Sequence, residues 1–174
     1  SVFQVRYLTD VRGFTAARAA LFTTVTAAPA SLALVVGGRL ADSRGRRIVA
    51  SAATAAGAAL LASAFATGGW TMWALAVAGG VALGLAYPAM SVFRGELFPT
   101  ARRNLAAALI TVSSLVGGSA GLVVAGTAID RGVGYGTVMT WLALGPMAVA
   151  TIVLAAFPET AMRELEELNP GESG

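Results

Sequence analysis

The chain contains no cysteine and no histidine. Disulfides, thiol chemistry, histidine-based metal sites and histidine general bases are therefore excluded within it. Lysine is absent too, so all 12 basic residues are arginine. Charge is scarce, at 12% of the 174 residues, and it is bunched rather than spread. A soluble domain needs a dispersed polar surface that this chain does not have. The net charge of +3 could suggest nucleic acid. Here, however, the arginines sit in short segments between apolar runs, where membrane topology accounts for them, and no nucleic-acid partner is expected. No basic region followed by an apolar core opens the chain, so it has no signal-peptide pattern. Ser1-Val2-Phe3-Gln4 reads instead as a chain entered in the middle, with an earlier part missing.

What the sequence does have is hydrophobic length. It is 56% hydrophobic, with a mean hydropathy of +0.74. The pattern predicts an all-α, polytopic transmembrane helix bundle with complete spans at about 17–40, 48–66, 71–93, 105–129 and 137–157. About twenty residues rising about 1.5 Å each cross a hydrocarbon core of about 30 Å, and each span meets that length. Residues 2–11 are apolar but interrupted by Arg6 and Asp10, and are expected to be the last turns of a truncated sixth helix. A loop follows, with Thr15 a candidate N-cap. Trp70 and Trp73, at the start of the third span, suit the headgroup boundary. The transmembrane domain is expected to cover 1–160, leaving 161–174 as a charged cytoplasmic tail.

Two polar knots separate the spans. The first is Gly38-Arg39-Leu40-Ala41-Asp42-Ser43-Arg44-Gly45-Arg46-Arg47, and the second runs over 94–104, from Arg94 through Glu96 to Arg103 and Asn104. If the first is cytoplasmic, alternation puts the second knot and the tail on the same side. That face then holds Arg39, Arg44, Arg46, Arg47, Arg94, Arg102, Arg103 and Arg163. The opposite face holds only Arg12, Arg18 and Arg131, so the arginine bias agrees with the alternation. Two small-residue pairs, Gly80/Gly84 and Gly117/Gly121, predict close helix packing. Tyr87-Pro88 reads as a kink with an interfacial tyrosine, and Tyr87 is also the one candidate for lining a substrate path.

Chemistry is thin inside the spans. From 48 to 93, 105 to 129 and 137 to 157, tyrosine is the only ionisable side chain. An intramembrane enzyme would need a base beside a serine, paired acids or metal ligands, and none is visible. No enzymatic activity, cofactor or metal is expected. Proton-coupled carriers place acids or bases at membrane depth. Only Arg6 and Asp10 approach that description, so coupling protons would have to be handled by the missing part.

At the first knot the residues resemble a known family. Gly38-x-Leu40-Ala41-Asp42-x-x-Gly45-Arg46-Arg47 is similar to the signature loop of the major facilitator superfamily, with the first Arg after the Asp displaced by one position. Arg94-x-Glu96-Leu97-Phe98-Pro99-Thr100-x-x-Arg103 resembles the link between the fourth and fifth helices of a half. Pro158-Glu159-Thr160 resembles the motif after the final helix of sugar-porter-like and metabolite:proton symporter-like members. The resemblance covers essentially the whole chain and implies one six-helix half, the C-terminal one.

That resemblance carries further expectations. The chain would be part of a secondary active or facilitative transporter that moves a small solute, such as a sugar or organic acid, by alternating access. It would sit in the cell membrane of a bacterium. Its partners would be the lipid bilayer, the solute, the missing N-terminal six-helix half and, in a symporter, protons. Gly38, Asp42, Gly45, Arg46 and Arg47 would form a conformational gate. Arg46 or Arg47 would pair with Asp42 and with Glu96, inside a cytoplasmic charge network that includes Arg94 and Arg103. A drug-efflux carrier of the same family is an alternative, as is a non-transporting scaffold or sensor built on a transporter-like half.

Overall fold

A computed structural model describes residues 2–96 and 100–159, with the backbone alone described at 2, 3, 94–96, 100, 101 and 103. Every described element is helical. A short helix α1 (Val2–Arg6) passes into a π-helical turn, Tyr7–Val11. Five long helices follow: α2 (Ala16–Arg44), α3 (Arg46–Ala66), α4 (Gly69–Glu96), α5 (Thr100–Asp130) and α6 (Tyr135–Ala156). All five are long and apolar enough to cross a membrane. Helices that are apolar on every side gain nothing from an aqueous surface, and in lipid their backbone groups are satisfied internally.

Helix α4 is the centre of the bundle, packing along both α2 and α3, while α3 also packs on α6. The α2–α4 seam is closed by glycine. A side chain at Gly84 would collide with the Ala30 carbonyl oxygen, one at Gly80 would come within 2.9 Å of the Thr26 carbonyl oxygen, and one at Gly37 within 2.5 Å of that of Leu85. The expected packing role of Gly80 and Gly84 is met. Gly117 and Gly118 on α5 differ, since nothing lies within 4 Å of a side chain placed there, and Gly121 meets only Leu142, at 3.8 Å. No residue of the α5 apolar window is buried. Small residues permit close approach but do not supply the neighbour.

The two ends of the bundle are built differently. At one, Tyr7 and Leu8 of the π-helical turn are buried among Ala19, Phe22, Ala64 and Met72. The Tyr7 hydroxyl donates to the Phe65 carbonyl (2.8 Å), and Arg12 donates through Nε to the Tyr7 hydroxyl (2.6 Å) and through Nη2 to the Thr67 carbonyl. The Phe65 carbonyl in the last turn of α3 and that of its C-cap, Thr67, are thereby satisfied by side chains from the start of the chain. Asp10 lies in the π-helical turn and pairs with Arg6 at 3.3 Å. At the other end, Ala41, Val49, Ala50, Ala89, Phe93 and Val153 form a second buried cluster beneath the first polar knot.

Candidate functional site

The knot that reads as a loop is mostly helix. Alanine, leucine and arginine are good helix formers, and α2 runs through Gly38, Arg39 and Asp42 as far as Arg44. Gly45 alone connects α2 to α3, at φ +98° and ψ 128°, a conformation that L side chains rarely adopt. Its N–H donates to the Ala41 carbonyl (3.1 Å) and its carbonyl accepts from Val49 N (3.1 Å), so one residue closes one helix and opens the next. A side chain here would also lie 2.7 Å from Glu159 Oε2. Gly38 carries no such constraint, because a side chain there would meet only Pro88 Cβ at 4.0 Å. The close-approach residue is its neighbour, Gly37.

Asp42 and Arg46 face each other across this turn. Arg46 donates to Asp42 Oδ1 from Nη2 (3.0 Å) and from Nε (3.2 Å). The Asp42 side chain is 66% exposed and that of Arg46 19%, so the pair contributes about 0–1 kcal/mol. Arg47 donates through Nη1 to the Phe157 carbonyl (3.3 Å), while its buried Nε has no acceptor among the described residues. Arg39 and Arg44 are exposed.

Another contact at the site comes from the far end of the chain. Helix α6 stops at Ala156, and Phe157-Pro158-Glu159 turns back under α3. Glu159 Oε1 accepts from the backbone N–H of Arg46 (2.8 Å), and Oε2 accepts from that of Arg47 (3.3 Å). The first N–H groups of a helix have no partner within it, and the helix dipole places partial positive charge there. No side chain of the local cap residue serves α3, so Glu159 is its N-cap, supplied from 113 residues away. Phe157 anchors the segment by edge-to-face contact with Phe93, the ring centroids 5.2 Å apart. Asp42, Arg46, Arg47 and Glu159 thus join α2, α3 and the end of α6 at one membrane face.

Over residues 1–172 the sequence matches the pattern of the Major Facilitator Superfamily. The chain belongs to that superfamily. With five helices able to cross a membrane, membership makes it a multi-pass membrane transporter chain. Comparison with curated proteins and with solved structures gave no match.

Within the superfamily frame, the predicted site residues fall into three groups. Asp42, Gly45, Arg46 and Arg47 come together at the α2–α3 junction. The side chains of Arg94, Glu96 and Arg103, the proposed charge network, lie outside the described residues, as does the 161–174 tail. Tyr87 is 66% exposed on α4 and lines a cleft of about 590 Å³ with Gln4, Thr23, Thr26 and Ser31. The hydroxyls of Thr23, Thr26 and Ser31 donate to carbonyls of their own helix. Glu159 as a contact residue was missed by the sequence reading, although a signal existed: an acid directly after the last apolar run, on the face that carries most of the arginines.

Proposed function

We propose that the chain is one half of a secondary transporter that moves a small solute by alternating access, with the α2–α3 junction acting as a gate on the cytoplasmic side. The observation that carries the gate is the Glu159 clasp on the α3 N-terminus beside the Asp42–Arg46 pair. Both are polar interactions at a water-facing end. Both are weak enough to break during a transport cycle and directional enough to favour one arrangement. Arg39, Arg44, Arg46 and Arg47 at the α2–α3 junction and Arg94, Arg102 and Arg103 at the α4–α5 link, against Arg12, Arg18 and Arg131 at the other end, support a cytoplasmic placement.

A second six-helix half is the natural cover for α5, whose apolar window is bare, and for the exposed Leu32, Val35 and Val36 of α2. The Tyr87 cleft between α2 and α4 is the candidate wall of the solute path. Its lining offers hydroxyl and amide groups and no described acid or base, which suits a neutral polar solute such as a sugar. Any proton-coupling group would then lie on the other half. The test is solute flux in liposomes carrying the complete transporter. Asp42→Asn should slow flux while leaving insertion unchanged, and unaltered flux at equal protein density would refute the gate.

A further inference from the structure

At the end of the bundle opposite the Asp42 junction, a cleft of about 500 Å³ opens between the start of α2 and the start of α4. Its lining combines two arginines, Arg12 and Arg18, with the indoles of Trp70 and Trp73. No acidic residue lines it, and neither arginine has a carboxylate partner among the described residues, where the ion pairs are Arg6–Asp10 and Arg46–Asp42. Arg18 stacks on the Phe14 ring at 4.3 Å and makes no side-chain hydrogen bond there, and Arg12 spends Nε and Nη2 on Tyr7 and Thr67 but keeps Nη1 available. Two cations thus share one cleft with aromatic rings beside them, Arg12 over Tyr7 at 5.2 Å and Arg18 over Phe14, and with no carboxylate among the described residues.

The rest of the lining is graded. Arg18, Leu21 and Val25 recur at i, i+3 and i+7 and so share one face of α2, with Val25 about 10 Å deeper along the axis than Arg18. Trp70, 88% exposed, stands at the mouth, and Met72 is buried behind it. Positive charge at headgroup level above an apolar runway complements an anionic phospholipid. We propose that this cleft binds one, its phosphate between Arg12 and Arg18 and an acyl chain along Leu21 and Val25. A small free anion would use the arginines and leave the apolar runway idle, and a neutral lipid would leave the charges unanswered. The site is separate from the proposed gate and does not depend on it.

The native tryptophans supply the test. In the complete transporter, with Trp141 and any tryptophan of the other half replaced by Phe, only Trp70 and Trp73 report, since this chain has three tryptophans. That protein is placed in phosphatidylcholine nanodiscs containing the same small fraction of either dibrominated phosphatidylglycerol or dibrominated phosphatidylcholine. The anionic brominated lipid should quench more strongly. Arg18→Gln should weaken that preference about fivefold, and Arg18→Lys should retain most of it. Arg18 is the residue to vary because Arg12 also holds the π-helical turn in place. Equal quenching by the two lipids, or an unchanged preference in Arg18→Gln, would overturn the proposal. Relief of the excess quenching by inorganic phosphate would also overturn it, in favour of a small-anion site.

Discussion

Removing the Glu159 carboxylate should loosen the start of α3 by an amount that can be worked from the contacts. In the intact chain two backbone N–H groups, those of Arg46 and Arg47, donate to it at 2.8 and 3.3 Å. Neither has an intrahelical acceptor, because both fall in the first turn. Glu159→Gln keeps one acceptor oxygen and loses the charge, forfeiting the interaction with the helix dipole, about 1 kcal/mol at a half-buried site. Glu159→Ala loses the acceptor as well, and the charge-assisted bonds raise the cost to about 2 kcal/mol once water replaces part of them. Amide hydrogen exchange reads this directly. The Arg46 and Arg47 amides should exchange about fivefold faster in Glu159→Gln and about thirtyfold faster in Glu159→Ala. The Val49 amide, bonded to the Gly45 carbonyl within the same turn, should change much less and serves as the internal control. Unchanged exchange at Arg46 and Arg47 in the alanine variant would refute the capping role.

Further outcomes follow from other contacts. Gly84→Val should destabilise the bundle by about 1–3 kcal/mol or more, because its side chain would be forced against the α2 backbone. Gly117→Val, in open space, should leave the thermal midpoint in detergent nearly unchanged, and equal loss in both would contradict the α2–α4 seam. Gly45→Ala should lower stability through both its positive φ and its contact with Glu159, so pairing it with Glu159→Ala should recover part of the loss; strict additivity would rule out the contact. Reversal of charge at Glu96 should slow flux in the complete transporter and be partly rescued by reversing Arg46. A double-mutant cycle without coupling would remove Glu96 from the network.

Much of this architecture was legible in the sequence because lipid imposes length. The span expected at 71–93 lies within Gly69–Glu96, and Thr15 caps α2 as expected, accepting from Arg18 N at 3.3 Å. Boundaries differ where charge reads as loop. The span expected at 17–40 continues to Arg44, since nothing before Gly45 opposes the helix. Glycine was the harder signal. Gly80 and Gly84 meet a facing backbone and Gly117 and Gly118 do not, yet the two spacings look alike, because the partner surface is not encoded beside them. Arg46 beside Asp42 is a contact of four residues' separation and could be anticipated. Glu159 beside Arg46 depends on how α6 packs on α3, which no local pattern carries.

Accessibility of the α4 cleft from the Asp42 side is the most direct test of the proposed gate. This chain has no native cysteine, so Tyr87→Cys reports alone once any cysteine of the other half has been replaced. In oriented vesicles holding the complete transporter, a membrane-impermeant maleimide added on the Asp42 side should label that thiol slowly. Adding Glu159→Ala or Asp42→Asn should accelerate labelling, by up to about thirtyfold for a clasp worth about 2 kcal/mol. A labelling rate indifferent to both substitutions would mean that the clasp holds the helices together without gating anything.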